Sequence, residues 1–171
     1  TYCDKGYHVF ALCRNVSDAL SNTSATVIEG IDVTEDSTFS LLEPYLKEYE
    51  IDIFIHNAGI LQREDISDMS TSAKQSIEDQ LKVNTLGPLY LTGYIYNFLK
   101  KGTKLVFITS RMGSIDDNSS GGRYGYRMSK AALNMAGKSL AIDLEPKGIA
   151  LGIIHPGWVQ TDMTGHTGHY S

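Results

Sequence analysis

Cysteine is scarce in this chain: its 171 residues contain two, Cys3 and Cys13. A disulfide framework or a structural zinc site needs more, so a reducing cytoplasm is the expected setting. Basic residues are in deficit as well, with 15 Lys and Arg against 20 Asp and Glu and a net charge of −5. Nucleic acid is thereby excluded as the main partner, because phosphate binding needs clustered Lys and Arg. No apolar run approaches the roughly 20 residues of a membrane-spanning helix. No basic-then-apolar leader supports secretion. Internal repeats, heptad runs and low-complexity tracts are absent too.

What remains reads as one globular domain with a real core, 42% hydrophobic and 20% charged. The opening "TYCDKG" reads as the end of a helix with Gly6 as its C-cap. Five apolar runs follow as strands: His8–Cys13, Ala25–Val33, Ile51–Ile55, Lys104–Ser110 and Ile149–Ile154. Between them lie a short helix over Arg14–Ser21, an amphipathic segment to Tyr49, and a long helix from about Ile77 to Leu99. A last helix runs from near Tyr126 to Leu144 and ends at "EPKG". The stretch before Ser72 reads as loop and a short helix. Strands alternating with helices predict βαβ units and a parallel α/β sheet covered by helices on both faces.

Ligands of such sheets sit beyond the carboxyl ends of the strands. Arg14, Asp32, "NAG" (Asn57 to Gly59), Ser110 and "PG" (Pro156, Gly157) all collect at that edge. "RYGYRMSK" adds a tyrosine pair of which only one member has a lysine partner. Tyr126 and Lys130 stand at i and i+4, on one helix face, with Cβ atoms roughly 5–6 Å apart.

These residues resemble the short-chain dehydrogenase/reductases, in the right order and over almost the whole chain. The match consists of "NAG", Asn84 in "KVNTLG", Ser110 in "ITS", Tyr126 and Lys130 as Y-x-x-x-K, and "PGWVQT" as P-G-x-x-x-T. The run from Ser110 to Leu144 is similar to the branch that includes C-factor and sniffer-type carbonyl reductases. The resemblance implies a Rossmann-like doubly wound fold and an oxidoreductase acting on a small-molecule carbonyl or alcohol. Two features of the family are missing. No G-x-x-x-G-x-G phosphate-binding turn occurs. The strand that would precede that turn belongs in mid-sheet, between the strands at His8 and Ile51. The chain is therefore expected to be a piece of a longer product, and an inert fragment is one rival reading. A non-catalytic binding or signalling member of the same fold is the other. His56 stands where the family more often has the first Asn of "NNAG".

A tyrosine with a pKa near 10 is a poor base at neutral pH, and a nearby ammonium lowers that pKa. Lys130 is placed to do so for Tyr126, the acid/base, and the resemblance adds that it binds the nicotinamide ribose. The resemblance makes Ser110 the residue that orients the substrate carbonyl, and Asn84 the anchor of a proton relay reaching Lys130. Cys13 occupies the position where an acidic residue would take the ribose of NAD, and Arg14 follows it, which favours NADP over NAD. Asp32 and Val33 are expected at the adenine, and Asn57, Ala58 and Gly59 along the cofactor. Pro156, Gly157, Val159 and Thr161 are expected beside the nicotinamide. Asp32 reads equally as a helix-cap residue, and Ser110 as a turn serine. The small residues of the last helix fit either core packing or assembly into a homodimer or homotetramer. No metal site is expected: His166 and His169 read as residues of a frayed tail.

Overall fold

The computed structural model describes residues 2–161, 163 and 165–168. Its elements follow the alternation anticipated from the sequence. A 3₁₀ turn, Cys3–Lys5, closes on Gly6, whose φ of 80° provides the left-handed cap. Strand β1 (Phe10–Cys13) leads to helix α1 (Asp18–Ser21), where the Ser17 side chain accepts from the Leu20 N–H. Strand β2 (Thr26–Glu29), a 3₁₀ segment (Asp36–Leu42) and helix α2 (Glu43–Glu48) come next. After β3 (Ile53–His56) stands helix α3 (Thr71–Leu81), which begins six residues before the expected Ile77. The Ser70 hydroxyl caps it by accepting from the Ala73 N–H.

The long helix is interrupted where Asn84 sits. Residues Lys82–Leu86 form a π segment in which the Gly87 N–H reaches Lys82 O, five residues back. Pro88, with no N–H, cannot donate to the Asn84 carbonyl, so the ladder changes register there. Helix α4 (Gly87–Ile95) continues beyond it. Strand β4 (Lys104–Ile108), helix α5 (Tyr124–Leu144) and strand β5 (Ala150–Ile154) complete the order.

All strand pairs are parallel. β1 pairs with β2, while β3, β4 and β5 form a second sheet in that order. One apolar core joins the two sheets, from Ile28 on β2 and Leu105 on β4 to Leu91 and Ile95 on α4 and Leu144 on α5. The facing edges of β1 and β3 are not bonded to each other; a cleft lies between them, lined by Phe10, Leu12, Ile53 and Ile55 among others. It lies where the family resemblance puts a further mid-sheet strand. The strands are also less covered than a doubly wound sheet predicts: Ile55 is 40% exposed and Ile154 45%. Ile55 borders that cleft, and β5 is bonded on one side only.

Candidate active site

Because every strand is parallel, all carboxyl ends reach one edge. β1 ends into Arg14, β3 into Asn57–Gly59, β4 into Thr109 and Ser110, and β5 into His155–Gly157. Thr109 N–H still donates to Ile154 O at 2.9 Å, so Ser110 is the first residue released from the ladder. Two clefts run along this edge. Arg14, Asp32 and Val33 line the first; Ser110, Tyr126, Lys130, Pro156, Gly157, Val159 and Thr161 line the second. Asn57, Ala58 and Gly59 line both and join them. Asn84 alone among the sequence-selected residues lines neither, lying fully buried behind the junction.

Tyr126 and Lys130 are held on α5, one turn apart, at 6% and 4% exposure. The Lys130 Nζ lies 5.8 Å from the Tyr126 ring centroid and donates to Ile108 O at 3.0 Å. The Ser110 Oγ caps the short turn after β4, accepting from the Met112 N–H at 3.2 Å. Gly113 in that turn lies so close to α5 that a Cβ would come within 2.8 Å of the Lys130 carbonyl carbon. The strand-end turn and α5 are thus fixed against each other.

Burial sets the protonation of both groups. It pushes the Lys130 ammonium down to about 8. It pushes the Tyr126 phenol up, against the lowering effects of a Ser110 hydrogen bond and the Arg123 charge. The sequence led us to expect Lys130 to lower the phenol. In the folded chain desolvation outweighs the nearby donors, and the Arg123 charge is among the groups that act on the phenol.

Asn84 is used completely by the protein. Its Oδ1 accepts from the Ile60 N–H at 2.8 Å, and its Nδ2 donates to Ile60 O and Ser129 Oγ, both at 2.9 Å. It therefore pins the loop after β3 to α5. A Cβ on Gly59 would sit 3.3 Å from Asn84 Oδ1 and 3.6 Å from Lys130 Nζ, so glycine lets the loop backbone approach both groups.

At the other end, Arg14 Nη1 lies 3.9 Å from Asp32 Oδ2, with the Arg14 side chain 69% exposed. Asp32 Oδ1 accepts from both the N–H and the hydroxyl of Thr34, at 2.9 and 2.7 Å. Those bonds, the backbone one first, hold its carboxyl below the usual range, with Arg14 adding to the effect against partial burial. Asp32 thus braces the turn after β2 and caps no helix, since the following 3₁₀ segment has Glu35 at its N-cap. Val33 packs on Gly87, where a Cβ would come within 2.9 Å. The segment after β5 folds back on itself, Trp158 Nε1 donating to Thr167 O at 3.0 Å. His169 lies outside the described residues, and no cluster of three metal-binding side chains occurs among those described.

The family model described as short chain dehydrogenase matches residues 1–170. This chain belongs to the short-chain dehydrogenase family. That makes it an oxidoreductase of the NAD(P)-dependent class. A dehydrogenase of Rhodococcus sp., described as 1-hydroxy-2-glutathionyl-2-methyl-3-butene dehydrogenase, is 37% identical over 163 residues, 94% of this chain and 71% of that one. Among solved structures, the carbonyl reductase Sniffer of D. melanogaster superposes with a TM-score of 0.81 at 32% identity, over 95% of this chain and 74% of that one. A short-chain dehydrogenase/reductase from Burkholderia multivorans with bound NADP gives 0.84 at 26%, over 99% and 77%. The two parallel sheets are those of this Rossmann-like family, and the sniffer-type likeness noted in the sequence recurs in its neighbours.

Sequence reasoning missed four residues that shape the candidate site. Glu64, Gln80 and Ser129 are buried polar groups whose partners lie on other elements. Nothing in a polar stretch such as "LQREDIS" marks its glutamate as internal. Arg123 adopts a φ of 51°, and the two glycines before it are the only hint of that backbone.

Proposed function

We propose that this chain reduces a carbonyl, or oxidises the corresponding alcohol, with NADP(H), using Tyr126 as the acid/base. The observation that carries the reading is the joined pair of clefts: Arg14 stands at one end, Ser110, Tyr126 and Lys130 at the other, and Asn57–Gly59 between. The side chains fit such a cofactor at both ends. Arg14, largely exposed beside Asp32, suits the ribose 2′-phosphate. Lys130 and the close-packed Gly59 backbone suit the nicotinamide riboside. Pro156, Gly157, Val159 and Thr161 border that end, and Asp32 with Val33 the adenine end. NADPH supplies the hydride in the reducing direction.

The protein's own part is proton delivery and orientation. Ser110 Oγ donates to the carbonyl oxygen and aims it at Tyr126. The phenol, kept protonated by burial, gives its proton to that oxygen as negative charge develops there. Lys130, held beside the ring by Ile108 O, stabilises the phenolate that remains. Asn84 holds the Ile60 end of the loop at fixed distance from α5, a positioning role distinct from the proton-relay anchor the resemblance implied. The free thiols Cys3 and Cys13 fit a reducing cytoplasm. Met128, Met135 and Ile142 are exposed along α5 and offer a surface for a homodimer or homotetramer.

NADPH oxidation against a panel of aldehydes and ketones tests the reading. Tyr126→Phe is expected to lower kcat by about 10²–10⁴-fold, the usual contribution of a positioned acid. Equal rates in the two proteins would remove Tyr126 from the chemistry. Absence of turnover by the parent protein would favour a binding or signalling role for the fold.

A further inference from the structure

Positive charge gathers around Tyr126 in a chain whose net charge is −5. Arg63, Arg111, Arg123 and Arg127 line the same cleft, together with Lys130. Two described carboxylates also line it, and neither offsets the set. Asp117 is taken by Arg111, with Nε 2.7 Å from Oδ2. Glu64 is buried and accepts from Ser76 Oγ at 2.6 Å, from the Gly125 N–H at 3.2 Å and from Gln80 Nε2.

The remaining guanidiniums meet no carboxylate among the described residues. Arg123 Nη1 has only the Met112 sulfur, a weak acceptor, at 3.7 Å. Arg127 Nη2 donates to Ser120 Oγ at 2.9 Å, but its Nε is buried with no hydrogen-bond partner. Arg63 makes no ion pair among the described residues. Buried donors are normally satisfied, and each exception calls for a ligand or another explanation.

Arg123 carries a second signal. Residues Gly121, Gly122 and Arg123 have φ of 62°, 62° and 51°, three successive left-handed positions directly before α5. Glycine takes that backbone freely, whereas arginine is strained there. Its side chain does not cap the helix, so the strain is not offset by a bond at the helix end. Strained residues of this kind concentrate at ligand clamps. What the conformation achieves is to put a guanidinium three residues ahead of Tyr126, on the wall of the same cleft.

We propose that the carbonyl compound taken by this site carries a carboxylate or similar anionic oxygen group, clamped by Arg123 with Arg63 and Arg127 while its carbonyl faces Ser110 and Tyr126. The inference rests on the oxidoreductase reading for its second half only, since the clamp binds the anion with or without turnover. A planar guanidinium matches a carboxylate in two parallel hydrogen bonds, which fixes orientation as well as affinity.

The purified protein is assayed with NADPH and two aldehydes of similar size, 4-carboxybenzaldehyde and its methyl ester. The carboxylate is expected to give a kcat/KM about tenfold or more above the ester, an advantage that shrinks as salt rises. Arg123→Gly is expected to cut that ratio about tenfold while the melting temperature stays level or rises, because glycine relaxes the backbone. Arg63→Gln should cut the ratio to a lesser degree. A ratio near one in the parent protein, or a ratio unchanged in Arg123→Gly, would overturn the clamp. So would a rise in the KM for NADPH with the ratio intact, since the arginines would then serve cofactor phosphates. Calorimetry with 4-carboxybenzaldehyde alone separates the two ideas. Saturable binding without turnover leaves the clamp standing and defeats the oxidoreductase reading; no binding at millimolar concentration defeats the clamp.

Discussion

The Glu64 carboxylate accepts the Gly125 backbone N–H at 3.2 Å, joining two residues 61 positions apart. Gly125 is the second residue of α5 and Tyr126 the third. Arg123, at the helix N-cap, gives no side-chain cap, so the helix that carries Tyr126 and Lys130 is capped from another part of the chain. Ser76 and Gln80 on α3 donate to the same carboxylate. Gln80 Oε1 in turn accepts from the Gln62 N–H at 2.9 Å. A Cβ on Gly125 would fall 2.4 Å from Gln80 Nε2, so only glycine lets α5 seat here.

Glu64→Ala is therefore expected to destabilise the fold by about 2–4 kcal/mol, because three donors, two of them buried, lose one shared acceptor. Denaturant midpoints measure this. A second effect separates positioning from bulk stability. Well below the melting temperature, kcat should fall more than KM rises, because the displaced turn carries Tyr126 rather than the substrate-binding arginines alone. A variant that loses stability with kcat intact would confine Glu64 to a structural role.

The strand-helix alternation was legible because β1 to β5 are apolar runs bounded by turn residues, and parallel strands bring their carboxyl ends to one edge. Tyr126 could be told from Tyr124 by the i, i+4 lysine alone, and only Tyr126 of the two lines the cleft. What stayed hidden was set by distant partners or by unusual backbone. The π segment at Asn84 depends on Pro88 four residues later, in a stretch whose side-chain periodicity reads as plain helix. The start of α3 depends on one serine cap within a polar run. Spacing placed Lys130 one helical turn from Tyr126. Yet spacing carries no information about burial, which is the largest influence on both pKa values.

That burial makes Lys130 a cost to the unliganded fold. Its folded pKa, about 8, is below the ordinary 10.5, so between those values the unfolded chain holds more protons. Stability accordingly rises as pH goes from 8 to 10.5, and the penalty is fully present at neutral pH. Its size is on the order of 3 kcal/mol by the conversion of about 1.4 kcal/mol per pKa unit. Lys130→Met is expected to be more stable than the parent at pH 7 by about 1–3 kcal/mol, after the lost bond to Ile108 O, and to have no measurable turnover. Urea midpoints at pH 7 and pH 10 provide the check, with the advantage shrinking at the higher pH. A Met variant weaker than the parent at pH 7 would show that the ammonium is well compensated.

His56 presents the opposite limb of the pH profile. It ends β3 at 7% exposure, between the rings of Phe54 and Phe107, each centred 4.9 Å from its own. Its Nε2 lies 3.0 Å from Thr92 Oγ1, and that hydroxyl gives its single proton to Pro88 O at 2.7 Å. Thr92 can then only accept, which assigns the proton of the neutral ring to Nε2. Burial lowers the His56 pKa from 6.5 to about 3. The unfolded chain takes up a proton below pH 6.5 that the folded chain refuses until about pH 3, so stability falls with pH across that window. The slope from this residue approaches about 1.4 kcal/mol per pH unit. His56→Asn keeps a polar side chain at the position and removes the titration. It is expected to be the weaker protein at pH 7, through lost packing and the lost Thr92 bond, and to close on the parent by about 2–3 kcal/mol at pH 4.5. Other acid-sensitive groups act on both proteins alike and cancel in the difference. Urea midpoints from pH 7 to 4.5 measure it, and parallel curves for the two proteins would mean that His56 titrates in the fold as it does in water.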